Sequence, residues 1–160
     1  LWCNLGLVSS AARPVPVIEN WARALKTDGL LFLTHFGLDT LTEITGYMKT
    51  RDIDVVSPFA DMHDLGDMLF HHGFYDPVMD TAKLELSYTR AETFWQDMDT
   101  LGIWAALQFA DEAAARAAVN EGFAQGLLHT VTLETVYGHA VKKLQLPENE
   151  NVVQFYPRQR

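Results

Sequence analysis

Apolar and polar residues alternate along this chain with two different periods, and the switches between them mark a mixed α/β order. Residues 1–8 open with an apolar run that reads as a short buried strand ending near Asn4 or Leu5, with Trp2 in the core. Pro14 and Pro16 hold residues 9–16 in a loop until the second proline opens a helix. The inner stripe of that helix is Ile18, Trp21, Ala22 and Leu25, and Thr27-Asp28-Gly29 stops it. Leu30-Leu31-Phe32-Leu33 is continuously apolar, as expected of a parallel strand covered on both faces. Strand, helix and strand of these lengths predict a right-handed crossover pair. After Phe36-Gly37, Thr40 and Glu43 are spaced as a capping box ahead of a helix with Leu41, Ile44 and Met48 inward. Residues 49–57 read as polar loop.

The next helix is marked at both ends. Asp61 suits the N-cap, since its carboxylate can accept from the free N–H groups of the first turn, and Asp64 adds charge beside the same positive end. Leu65, Met68, Leu69 and His72 form its stripe; Gly73 supplies the left-handed exit, and Phe74 closes the cap. Asp76-Pro77 bars further helix and favours extended chain into Val78-Met79. Residues 83–88 alternate, with Leu84, Leu86 and Tyr88 on one side, so a strand is expected there. Thr89 and Glu92 are spaced as a second capping box before a helix carrying Phe94, Met98 and Leu101 inward and closing at Gly102. An alanine-rich helix begins at Asp111 and runs to about Gly126. Residues 128–141 are a long strand with Val131, Leu133, Tyr137 and Val141 on one face. Gly138 in its interior predicts a bulge or a close approach. Residues 146–160 are a tail broken by Pro and Asn, in which Val152-Val153-Gln154-Phe155-Tyr156 is expected to dock on the body.

With 160 residues the chain suits one domain. Its formal charge of −9 argues against a nucleic-acid partner, which would call for a basic face. No apolar run approaches the length of a membrane span, and no basic segment precedes an apolar core as in a signal peptide. The single cysteine, Cys3, excludes an intrachain disulfide. The chain opens at Leu1-Trp2-Cys3 inside its first strand, without an initiator methionine, as a piece of a longer protein would.

The run from Phe59 to Asp80, FADMHDLGDMLFHHGFYDPVMD, resembles the late helix and following strand of the malonyl-acyl-carrier-protein O-methyltransferases of biotin synthesis. The likeness continues in LWCNLGL, RALKTDGLLFLTHFGLDTL and TVTLETVYGHA. The resemblance implies an α/β fold: the C-terminal half of a doubly wound, Rossmann-like methyltransferase sheet, with a parallel crossover pair, antiparallel edge strands and a helical lid. Residues 1–145 would be the acceptor-side part of the methyltransferase domain and 146–160 a C-terminal tail, with the donor-binding N-terminal half absent. A glycine-rich turn after a strand, followed about twenty residues later by an acidic residue, is not found here. The cofactor implied is S-adenosyl-L-methionine, the partner an acyl-carrier-protein substrate, and the setting cytoplasmic, with neither nucleic acid nor membrane involved.

Methyl transfer from a sulfonium to a carboxylate needs no general base and no metal; it needs alignment, a dry pocket and a cation for the acceptor. No side chain is therefore assigned as catalytic and none as a metal ligand. By resemblance Asn4 and Leu5 stand beside the cofactor, at a strand end where open α/β sheets bind ligands; as plain sequence, Asn4 also reads as a turn residue. His35, Phe36 and Tyr88 are the substrate-side candidates; Tyr88, on a strand face, also reads as a packing residue. His35 stands where the family more often has a small hydroxyl or aromatic residue, and it also reads as a structural histidine. His63, Asp67 and His71 share one helical face, a spacing open to a metal but also that of a solvated polar side. Asp39 and Thr40 follow the Gly37 turn, where cap chemistry accounts for them, and Leu38 stands where the family usually has proline. Ile103-Trp104-Ala105-Ala106-Leu107-Gln108-Phe109 lacks the asparagine and arginine usual in the family's loop, so the cation for a malonyl carboxylate is missing there. Two other readings stand beside this one: a complex I assembly-factor-like hydroxylase of the same fold, and a non-catalytic binding module.

Overall fold

The computed structural model describes residues 1–144. In chain order these form β1 (Trp2–Asn4), a 3₁₀ turn (Val8–Ser10), α1 (Val15–Ala24), β2 (Leu30–Phe36), α2 (Thr42–Lys49), β3 (Val55–Val56) and α3 (Met62–His71). Then follow β4 (Phe74–Ser87), α4 (Ala91–Leu101), α5 (Ile103–Ala106), β5 (Gln108–Phe109), α6 (Glu112–Ala124) and β6 (Thr130–Lys142). One sheet has the order β1-β2-β6-β4. β1 and β2 are parallel; β6 runs antiparallel to both β2 and β4. The expected parallel pair beside two antiparallel strands is therefore one continuous sheet. No helix among the described residues is long and apolar enough to cross a membrane.

The sheet separates two cores. On one face α1 and α3 lay Ile18, Ala22, Leu65 and Leu69 against Leu31, Leu33, Val136 and Ala140. On the other, α2 and α4–α6 form a cap whose Leu41, Ile44, Met48, Phe94 and Met98 meet Phe36, Val131 and Leu133. β6 thus serves both cores: Val131 and Leu133 point to the cap, and Val136 and Ala140 point to the opposite side. Tyr137 lies on the same sheet face as Val131 and Leu133, as expected, but beyond the reach of the cap, and it is exposed.

That limited reach corrects two expectations. Trp2 is 78% exposed, not core, and Leu30 and Phe32 are exposed while Leu31 and Leu33 are buried. The strands at this end of the sheet are covered on one face only, because no element among the described residues lies over Trp2, Phe32 and His139. Those three rings form a row instead, with centroids 6.1 Å and 5.9 Å apart.

The marked helix forms as expected: Asp61 Oδ1 accepts from the N–H groups of His63 and Asp64, at 2.7 Å and 2.8 Å. These bonds hold the Asp61 carboxyl below the usual carboxylate range. The strand after it is longer than residues 83–88, beginning directly at Phe74. It crosses Asp76-Pro77 by a bulge between Tyr75 and Val78, with Asp76 at φ 46°. Opposite the bulge, a Cβ on Gly138 would stand 2.2 Å from the Val78 carbonyl oxygen, which is the close approach its position predicted.

Neither capping box forms. Thr40 and Glu43 turn instead to the edge of β6 that extends past the end of β2. Thr40 Oγ1 bonds both the N–H and the carbonyl of Glu134, and Glu43 accepts from the Thr132 N–H at 2.9 Å. A polar side chain here completes the ladder that β2 leaves unfinished, satisfying groups that would otherwise be buried unpaired. Thr89 and Glu92 make no cap bond at α4 either. Within the stretch read as loop, β3 pairs with β5, a ladder too short for its sequence to announce. The proposed docking of residues 152–156 lies outside the described residues.

Candidate active site

The carboxyl ends of β1 and β2 stand side by side, with Asn4 level with Thr34. Thr34 Oγ1 donates to Asn4 Oδ1 at 2.6 Å and accepts from the Leu5 N–H at 3.0 Å. The same N–H lies 3.1 Å from the Thr34 carbonyl oxygen. Leu5 is held by these bonds at φ 55°, in the left-handed region that a branched side chain enters only at a cost of about 1–3 kcal/mol. The chain therefore leaves β1 by a strained turn, and that turn sets the Asn4 side chain on the exposed rim.

His35 and Phe36 end β2 on opposite faces of the sheet, and Phe59, from the loop before α3, closes over both. Its ring meets His35 edge-on at 5.8 Å and Phe36 at 5.7 Å. All three are buried. Burial drives the His35 pKa down to about 4, so the ring is neutral near pH 7, and among the described residues its buried Nδ1 has no hydrogen-bond partner. The rim is thus an exposed amide beside a dry, uncharged aromatic wall. Asn4, Leu5, His35 and Phe36 are brought together as the sequence suggested. Thr34 and Phe59 complete the group and were missed. The signal for Thr34 was one hydroxyl closing an apolar run beside His35; for Phe59, one aromatic just ahead of the Asp61 cap.

Tyr88 is not brought to this rim. Ala82 stands level with Phe36 through Thr135, and Tyr88 lies six residues further along the chain. That is roughly 20 Å at the rise of a strand. It is buried between Phe94 and Phe123, and its hydroxyl donates to Asp97 at 2.8 Å. Burial first, and that bond second, push its pKa well above the ordinary tyrosine value. Asp39, read as a cap residue, pairs with Lys83 instead, and its N–H donates to Glu134. His63, Asp67 and His71 are all exposed on the outer side of α3.

The segment without an arginine, residues 103–109, forms part of the cap, with Ala105 and Gln108 exposed. Ile103, Trp104 and Leu107 are buried, and Trp104 stacks on Phe109 at 4.5 Å. Arg116 lies over the rings of Trp95 and Trp104 and is paired with Glu112 at 3.0 Å, so its charge is already engaged. A groove of about 630 Å³ runs along the cap between the start of α4 and the end of α6, with Arg90, Trp95, Asn120 and Phe123 on its walls.

A parallel pair ending in an exposed amide and an aromatic wall, continued by two antiparallel strands, defines an open α/β sheet whose strand ends, where such sheets bind ligands, are the candidate site. Comparison with known proteins places the chain more closely. It is 35% identical over 150 residues to a malonyl-[acyl-carrier protein] O-methyltransferase of Methylovorus sp. (strain MP688), covering 85% of this chain and 50% of that protein. It is 36% identical over 151 residues to the enzyme of the same name from Gallionella capsiferriformans, covering 89% and 51%. With that of Nitrosospira multiformis it shares 37% identity over 150 residues, covering 89% and 48%. The chain is thus related, over most of its length, to part of these methyltransferases, and the resemblance read from its motifs is borne out. It spans about half the length of the curated relatives it matches. No protein-family model matches it. Among solved structures, Haemonchus contortus phosphoethanolamine N-methyltransferase 2 in complex with S-adenosyl-L-methionine overlaps 81% of this chain and 30% of its own, at 17% identity and a TM-score of 0.36.

Proposed function

We propose that this chain is part of an S-adenosyl-L-methionine-dependent methyltransferase that O-methylates the free carboxylate of a malonyl-acyl-carrier protein in biotin synthesis. What carries the reading is identity of 35–37% with three relatives of that name, running through 85–89% of the chain. The rim fits such a ligand: it offers the exposed amide of Asn4, while the neutral ring of His35 adds no charge of its own. S-adenosyl-L-methionine, when bound, would supply a methyl group on sulfonium for a carboxylate oxygen, the C–S bonding pair staying with sulfur. The acceptor is already anionic, so the chain need not remove a proton. Its work is to exclude water and orient. Phe36 and Phe59 supply the dry wall. Asn4 holds a polar group of the ligand against the end of β1, and Leu5 continues that edge.

The test is a chimera in which this chain replaces the matching part of the Gallionella relative. Incubated with malonyl-acyl-carrier protein and S-adenosyl-L-methionine, it is expected to convert the carrier-bound malonyl group to its methyl ester, read by intact-protein mass spectrometry. A folded chimera that binds S-adenosyl-L-methionine and leaves the malonyl group unmethylated would overturn the reading.

A further inference from the structure

The side-chain amide of Asn4 has a carbonyl end and an NH₂ end, and which of them faces outward decides what the rim recognises. The Leu5 N–H can only donate, so Thr34 Oγ1 is the acceptor in that 3.0 Å bond. Its own hydroxyl proton is left to give, and the Asn4 amide stands 2.6 Å away. That separation is typical of O–H···O and short for N–H···O, which centres near 2.9–3.0 Å. The amide oxygen therefore faces Thr34, and Nδ2 faces away from it.

We propose that Thr34 is a positioning residue: by engaging the Asn4 carbonyl it presents the Asn4 NH₂ outward, so that the rim takes an oxygen acceptor such as a carboxylate, and not an amino or ammonium group. The strained turn at Leu5 supports this arrangement, because the hydroxyl that orients Asn4 also holds the Leu5 N–H. Thr34 thus couples the direction of the amide to the path of the backbone out of β1. The inference rests on the methyltransferase reading only for the identity of the carboxylate. That group belongs either to the malonyl acceptor or to the amino-acid end of the cofactor.

The experiment uses the full-length chimera with the Gallionella relative, labelled with ¹⁵N, with malonate and S-adenosylhomocysteine as separate probes. The Asn4 NH₂ resonances are assigned as the pair lost in Asn4→Asp. One of the two probes is expected to shift them, which names the source of the carboxylate. Thr34→Val should weaken that response at least threefold, while Thr34→Ser, which keeps the hydroxyl, should preserve it. Asn4→Asp, which offers only oxygen, should weaken binding of the same probe at least tenfold, read at the neighbouring Leu5 and Gly6 amides. Several results would overturn the proposal: no response to either probe, a Thr34→Val response equal to the parent's, or unchanged binding by Asn4→Asp. These outcomes are independent of the chimera assay, since an oriented Asn4 that answers malonate is compatible with a chimera that transfers no methyl group.

Discussion

His35 shows how much one side chain's surroundings can change its chemistry. The ring is 2% exposed at the end of β2, and desolvation lowers its pKa from 6.5 to about 4. Between those values the unfolded chain binds a proton that the folded chain refuses. Stability therefore rises with pH across that window: it is undiminished above pH 6.5 and falls as pH drops towards 4. The loss from this residue alone should reach about 3 kcal/mol at the lower end. Urea midpoints compared between the parent and His35→Gln from pH 7 to 4 check this. The parent should lose stability more steeply than the variant, and equal slopes would show that the ring titrates freely. For function, a neutral ring at this rim keeps the dry wall uncharged through the physiological range.

At the scale of elements, α3 and the segment before α2 show opposite relations between sequence and structure. Most devices read into α3 are used as read: the Asp61 cap, the buried pair Leu65 and Leu69, and Gly73 at φ 107° leaving the helix. These act within a few residues of one another, while His72, read into the same stripe, is half-buried and meets Glu19 at 3.1 Å. Leu69→Ala should therefore cost about 2–5 kcal/mol. His71→Ala, on the exposed side, should change stability by no more than about 0.5 kcal/mol. Urea denaturation of the two variants distinguishes a structural helix from a metal-bearing one. Equal losses, with the His71 loss abolished by chelator, would favour the metal. Thr40 and Glu43 have the same local credentials as Asp61 but serve β6, ninety residues away in the chain. A capping box competes with any stronger demand for hydrogen bonds, and the uncovered edge of a strand is such a demand.

For the molecule as a whole, the uneven cover of the sheet is the dominant feature. One face is packed by α1 and α3 over Leu31, Leu33, Val136 and Ala140 but is open at Lys83 and Glu85; the other is packed only where the cap reaches. Trp2→Ser should accordingly cost no more than about 0.5 kcal/mol in this chain. Leu33→Ala, on the covered face, should cost about 2–5 kcal/mol. Denaturant midpoints measure both, and a loss in Trp2→Ser as large as that in Leu33→Ala would mean that the bare face is packed in solution.

The sequence by itself determined the order of the main elements, the parallel pair and antiparallel partners, the inner stripes of the helices, and the position of Asn4, Leu5, His35 and Phe36 at neighbouring strand ends. It could do so because periodicity, caps and turn residues are short-range signals, and because the motifs resemble a family that the comparisons then supported. Tertiary structure decided what depends on neighbours distant in the chain. Leu30-Leu31-Phe32-Leu33 reads the same whether one face is covered or two. Tyr88 alternates correctly with Leu84 and Leu86, yet the length of β4 carries it past the rim into the cap. Thr34 passes for the end of an apolar run until β1 brings Asn4 beside it. A residue's pattern says which way it points along its own element; only packing says what it meets there.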